Sequence, residues 1–353
     1  MNLKWVLSLA AGVGISVLTL WLVFRNVPVD DLVRVWGRVR YLWLIPGAVL
    51  CWVGFLVRAV RWRIILAPSR EVDFLTAYHP LMIGFMLNCV LPGRIGEMAR
   101  PALFRQKTGL PFSTGLATVA VERVFDLLFM VCALVAVMLF VTPDPDLSFT
   151  FHEQTLNSDT LIRLGKRMAQ LALVLLAGVS LICWERVRSL LRCFIGGVPR
   201  YFGAWESVVR KRVTDPVTLL LEHVASGLEL LKQPARLLQC LWLTVLIWCL
   251  QAVSWWTVVQ GFPGLSLSLA DSFAVLIVVC FFIALPAAPG FWGVWEVGGT
   301  VAMVWLGVDT VNAAAYTLVN HGVQLFPVIL AGLVSVFISG VSLRRATAVG
   351  SAA

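Results

Sequence analysis

Charge is scarce in this chain. Only 13% of its 353 residues are Asp, Glu, Lys or Arg, against about 25% in a soluble globular domain. That is too little polar surface to clothe a water-soluble body of this length. Its eight cysteines form no C-x-x-C pair and stand in no Cys-His spacing. Neither a disulfide framework nor a metal site follows from them. Most lie in apolar runs, where cysteine serves as a small hydrophobe. A Walker A loop, a G-x-S-x-G elbow, an H-E-x-x-H pair and an Asp-rich metal motif are all missing. ATP-driven transport and hydrolysis by those devices are therefore not expected, no cofactor is implied, and the chain is expected not to be an enzyme. No nucleic-acid module is visible, so the net charge of +9 is read as membrane placement. The basic residues lie beside apolar runs, where they orient helices and touch anionic lipid.

What the chain has in abundance is apolar sequence, 59% of all residues. Several runs reach the roughly 20 residues needed to cross a bilayer. Full spans are read at 3–24, 41–65, 113–141, 168–184, 236–260 and 310–338. The first is long enough to stay as an anchor and lacks the small-residue cleavage site of a signal peptide. Two shorter apolar pieces, 74–91 and 271–285, end at proline and are followed by arms at 96–110 and 297–307. Neither second arm has the length and apolarity of an independent span, so each piece is read as a re-entrant hairpin. With both termini inside, most Lys and Arg fall on the inner side, among them Arg58, Arg61, Arg63 and Arg70, as the positive-inside rule requires. That balance does not separate hairpins from full pairs of spans. Arginines at 25, 34, 38 and 40 in the first outer loop run against it, and Asp30 and Asp31 partly offset them.

The expected fold is thus an all-α polytopic membrane protein of about six full spans plus two re-entrant hairpins. Residues 1–40 hold the anchor and an outer loop, and 41–141 the first repeat. Residues 142–235 hold a connector span and a basic cytoplasmic segment, where apolar residues from Val217 to Leu231 recur at helical spacing. Residues 236–353 hold a second repeat of opposite orientation and a short cytoplasmic tail. Setting Gly109 opposite Gly307 places Glu122, Arg123 and Asp126 opposite Asn320, His321 and Gln324.

The two breaks organise the functional reading. The first is Leu91-Pro92-Gly93-Arg94-Ile95-Gly96-Glu97-Met98-Ala99-Arg100; the second is Pro289-Gly290-Phe291-Trp292-Gly293-Val294-Trp295-Glu296. Broken helices survive in a bilayer only where protein or a water-filled cavity surrounds the freed backbone. Matched breaks in two halves point to a transporter's binding site. Pro92, Gly93, Gly96, Pro289, Gly290 and Gly293 are the hinge candidates. Glu97 and Glu296 would lie near the N-terminus of each second arm, either complementing the helix dipole or lining a site. Arg94 and Arg100 suit an anionic phosphate headgroup, or serve as ordinary inside charges. Glu122, Arg123 and Asp126 share one helix at pairing distance; they are either a structural ion pair or a lipid-phosphate or proton site. His321 either exchanges a proton, the role histidine suits, or simply bonds across helices.

These three motifs, with Val-Glu-Arg-Val-Phe-Asp-Leu at 121–127 between the two breaks, resemble the membrane region of the lysylphosphatidylglycerol synthases. The same region occurs alone in flippase-like membrane proteins. The resemblance covers nearly the whole chain and implies movement of a lipid between leaflets, with aminoacylation belonging to a separate soluble domain not expected here. It carries over Arg94, Gly96, Glu97 and Arg100, then Glu122, Arg123 and Asp126, then Pro289, Gly290, Gly293 and Glu296. Relatives commonly read Pro-Gly-Gly-Leu-Gly at the second break, where this chain has the bulkier Phe291-Trp292. They often have Arg where His321 stands.

The reading is a flippase of the cell inner membrane that moves an anionic phospholipid or lipid-linked intermediate through a polar cavity between the repeats. Arg94, Arg100 or Arg123 would meet the headgroup phosphate, and Glu97 and Glu296 would gate the cavity or couple it to protons. Membrane lipid is the expected partner, with a second copy or a membrane enzyme alongside. The alternative is an accessory subunit that presents a lipid to a partner glycosyltransferase or synthase. An intramembrane enzyme using Glu97 or Glu296 as base lacks a visible nucleophile or metal.

Overall fold

The computed structural model describes residues 3–25, 27–91, 94–140, 148–151, 154–157, 185–197, 233–285 and 287–340, with a few isolated positions between 170 and 214. The architecture is helical. Helix α1 (Leu3–Phe24) precedes a short α2 (Val29–Trp36), and α3 (Leu44–Leu66), α4 (Phe74–Val90), α5 (Ile95–Thr108) and α6 (Phe112–Phe140) follow. A two-stranded antiparallel ribbon, β1 (Ser148–Phe151) with β2 (Gln154–Asn157), and α7 (Glu185–Gly197) lie in the connector. The second half runs α8 (Pro234–Gln260), α9 (Leu269–Phe282), α10 (Val294–Trp305) and α11 (Thr310–Ser339). Each half therefore repeats one order: long helix, short helix, break, short helix, long helix.

Local chemistry explains the ends of these elements. Asp73 caps α4 by accepting from the Thr76 N–H at 3.0 Å, satisfying a donor that the first turn leaves orphaned. At the matching place in the second half, Ser268 and Asp271 close a capping box on α9. Arms α5 and α10 both finish at glycines in the left-handed region, Gly109 (φ 75°) and Gly307 (φ 82°), the usual helix stop.

Among the described residues, three helical stretches are long and apolar enough to cross a membrane: Tyr41–Leu66, Pro234–Gln260 and Thr310–Ser339. They expose apolar side chains outward, Phe337 at 84% and Leu330 at 62% among them. Such a surface suits lipid and not water. The expected spans at 3–24 and 113–141 are helices of 22 and 29 residues. The span at 168–184, apart from two isolated positions, the amphipathic stretch 217–231 and the tail from 341 lie outside the described residues.

Inside, α3 packs along α8, and the Ser254 hydroxyl donates to the Gly47 carbonyl at 2.7 Å. Small residues let helices approach closely where lipid supplies no hydrophobic drive between them. At the crossing of α4 and α5, a Cβ on Gly96 would collide with the Gly84 carbonyl oxygen, and one on Gly84 would come within 2.9 Å of the Gly96 oxygen. The stretch 25–40, read as an outer loop, contains a short helix. Within it, α2 carries Asp30 and Asp31 in its first turn and Arg34 in its last, each matching the helix dipole. Leu32 turns inward, and the Trp36 indole N–H donates to the Ala315 carbonyl at 3.3 Å.

Candidate functional site

Helices α3, α5, α6 and α8 meet around a buried charge cluster. Glu122 and Asp126, one turn apart on α6, face the same way, and Arg61 of α3 bridges them. Its guanidinium lies 2.8 Å from Asp126 Oδ1 and 3.2 Å from Glu122 Oε1, and donates to Thr244 Oγ1 at 2.7 Å. Arg58, one turn earlier, reaches Asp126 Oδ2 at 3.2 Å. Arg100 of α5 lies 2.7 Å from Glu122 Oε2, with its guanidinium over the Trp62 ring at 3.7 Å, a cation–π contact. Arg123 sits at 3.3 Å from Asp126 and 3.5 Å from Glu122.

Four guanidinium groups thus face two carboxylates, a surplus of two positive charges. Arg61 and Glu122 are fully buried, and only Arg123 keeps substantial exposure, with 39% of its side chain accessible. Buried charges are stable only when paired and hydrogen-bonded, and here both carboxylates are held by more than one cation. A narrow cleft opens onto this cluster between α4, α5 and α6, lined by Asn88, Gly96, Glu97, Arg100 and Arg123. The half-buried Glu97 therefore shares a cleft with two of the arginines. Within it, the Asn88 side-chain oxygen has no hydrogen-bond partner among the described residues.

The second break builds a different nest. Gly290 (φ 73°) and Gly293 (φ 89°) take left-handed or related conformations open to glycine, and α10 starts directly after them. Glu296, fully buried, caps that start: its Oε2 accepts from the Gly293 N–H at 2.6 Å. Its Oε1 lies 2.6 Å from His321 Nδ1, and His321 Nε2 lies 2.8 Å from the Gly290 carbonyl oxygen. Trp292 and Trp295 flank the imidazole, the latter stacked at 4.5 Å between ring centres and 8° between planes. Gln324, one turn on, donates to Ser254 of α8 at 2.9 Å.

The two breaks meet. Arg94, exposed at the tip before α5, donates to the Ile283 carbonyl of the other hairpin at 2.8 Å. Its guanidinium lies 5.9 Å from the Phe291 ring. Both residues are non-glycine positions with positive φ, 53° and 62°. Such strain costs on the order of 1–3 kcal/mol and persists where surrounding contacts over-determine it. Pro289 opens the single helical turn Pro289–Phe291, while Pro92 and Gly93 lie outside the described residues.

The structure therefore brings Arg100, Glu122, Arg123 and Asp126 into one cluster with Glu97 at its mouth. Glu296 and His321 form a second centre, and Arg94 lies at the junction between hairpins. Sequence reasoning missed Arg58 and Arg61, counted there as inner-loop charges; the structure holds both within α3. Their spacing of three, inside an apolar run, was the available signal, because charges on one face at that depth require partners. It also missed α1 as a wall of the second break: the Ser16 hydroxyl accepts from the Ala288 N–H at 2.9 Å.

The family described as the lysylphosphatidylglycerol synthase TM region matches residues 9–332. Glycosyltransferase AglD of Haloferax volcanii is 27% identical over 365 residues, covering 96% of this chain and 55% of the relative. The chain spans about half the length of that curated relative. The expectation that the chain is not an enzyme is overturned by this match, which is to a protein named as a glycosyltransferase.

Proposed function

Since the chain belongs to the lysylphosphatidylglycerol synthase transmembrane-region family, we propose that it moves an anionic lipid or lipid-linked intermediate between membrane leaflets. The path would run between the two four-helix halves. The observation that carries this reading is the buried surplus of two positive charges around Glu122 and Asp126, reached from a cleft that Glu97, Arg100 and Arg123 line. Guanidinium groups suit phosphate because their planar fork donates in pairs. An anion entering the cleft would neutralise a charge that the protein's own carboxylates leave over. The meeting of two broken helices supports the same reading, since such breaks surround substrate in repeat-built transporters. The remaining expectations belong here too: two repeats of opposite orientation, re-entrant arms, termini on the inner side and a cell inner-membrane location.

A second reading follows from the relative's name. The membrane region would serve glycosyl transfer, presenting a lipid carrier to the transferring site. Liposomes carrying labelled anionic lipid in one leaflet test both. Faster headgroup movement in wild type, lost in Arg94→Ala and Arg123→Gln, supports translocation. Sugar transfer from a nucleotide sugar to an added polyprenyl phosphate, without movement, supports the second reading and refutes the first.

A further inference from the structure

The centre at the second break defines its own proton count. His321 is 1% exposed, and its Nε2 faces the carbonyl oxygen of Gly290 at 2.8 Å. A carbonyl only accepts, so Nε2 carries a hydrogen. Nδ1 faces Glu296 Oε1 at 2.6 Å. With Nε2 protonated, a neutral ring would turn the Nδ1 lone pair onto a carboxylate. One further proton therefore belongs between Nδ1 and Oε1, and the pair is neutral overall whether it is written as imidazolium with carboxylate or as imidazole with carboxylic acid. The carboxyl cannot turn away, because its other oxygen is engaged by the Gly293 N–H at 2.6 Å. The aromatic faces of Trp292 and Trp295 favour a cationic ring between them.

Among the described residues, the side chains named against the second break are neutral apart from Arg94. Against the second break, α1 presents Ser16 and Thr19, and α9 presents Phe282. Helix α4 brings the backbone carbonyl of Cys89, and α8 brings Trp255. Asn320 is the buried neighbour on α11. The cation at the junction is Arg94, which donates to the Ile283 carbonyl.

We propose that Glu296 and His321 form a proton-binding site that latches the second hairpin. With the shared proton in place, one imidazole ties both Gly290 and the start of α10 to α11. When the proton leaves to water, a buried carboxylate meets a lone pair, and α10 separates from α11. Proton binding and the position of the break are thereby linked. This deepens the transport reading by naming the proton as the coupling ion, and it rests on that reading only for the coupling; the site itself does not.

The test uses the full chain in lipid nanodiscs, labelled with 15N at its four histidines, with His321→Gln assigning the ring signals. Ring nitrogens are followed across pH, and amide exchange in 287–297 is measured on the same samples after correction for intrinsic rates. The expected result is a single one-proton step at His321, with loss of exchange protection in 287–297 at the same step. In Glu296→Gln the amide supplies an N–H to Nδ1 while its oxygen still accepts from Gly293. That variant keeps protection and loses the pH dependence. A His321 ring whose only hydrogen sits on Nδ1 overturns the proposal, as does protection in wild type that ignores the step. Because both readouts are taken on wild type, a Glu296→Gln chain that fails to fold does not shield the proposal. Absence of the step refutes the proton site and leaves lipid movement to the liposome assay.

Discussion

The charge cluster makes an asymmetric prediction about which of its members the fold depends on. Arg61 looks most important by contact, since it touches both carboxylates and Thr244. Yet removing it as Arg61→Met leaves each carboxylate partnered, Glu122 by Arg100 at 2.7 Å and Asp126 by Arg58 and Arg123 at 3.2 and 3.3 Å. It also lowers the surplus from two positive charges to one. Glu122→Gln does the reverse. Arg100 is 3% exposed, and Glu122 is the carboxylate that pairs with it. The variant raises the surplus to three and leaves that guanidinium buried without a counter-charge. Breaking a buried pair by removing one partner costs about 3–5 kcal/mol. Arg61→Met loses three hydrogen bonds, at about 0.5–1.5 kcal/mol each where the partner left behind keeps another contact. Glu122→Gln is therefore expected near the upper range, with Arg61→Met lower by roughly 1 kcal/mol, about a fivefold difference in the folded ratio. Reversible unfolding in mixed micelles, following tryptophan emission against denaturing detergent, measures both. The double variant should cost less than the sum, because removing Arg61 relieves the surplus that Glu122→Gln creates. An Arg61→Met loss equal to or greater than that of Glu122→Gln would refute the reasoning.

Two further outcomes follow from the packing. Gly96→Ala drives a methyl into the Gly84 carbonyl, so α4 and α5 must separate; a loss of about 1–3 kcal/mol is expected, with no loss for Gly14→Ala, which meets nothing within 4 Å. Both are read by thermal unfolding of the purified chain. Asp73→Ala removes the α4 cap, at about 1 kcal/mol. Hydrogen bonds from Thr76 hold the Asp73 carboxyl below the usual carboxylate range. Its contribution is therefore full above the unfolded-state value and lost as pH falls through the lowered one. The gap between wild type and Asp73→Ala should close in acid, and a gap that widens there would contradict the cap.

Much of the helical layout is legible in the amino-acid sequence. The pieces read at 74–91 and 310–338 appear as Phe74–Val90 and Thr310–Ser339, because apolar runs bounded by proline, glycine and capping residues carry their own limits. The two breaks are legible for the same reason, as are the residues that the family motifs mark. The pairing of Arg123 with Asp126 follows from helical spacing alone. The short α2 is hidden, since eight residues that include Asp30, Asp31 and Arg34 read as loop until Leu32 finds a core to enter.

Sequence by itself thus determined a membrane-type helical chain, two breaks between short helices and a set of charged residues set within apolar runs. All of that is encoded locally, in run length, spacing and the backbone limits of proline and glycine. Only the tertiary structure decided who meets whom. Arg61 finds carboxylates 61 and 65 positions away, and Glu296 finds His321 across 25. Such partnerships depend on which helices pack and how each is rotated about its axis. A buried charge announces that it needs a partner; the fold, through close approach of α3 to α6 and of α10 to α11, chooses which one.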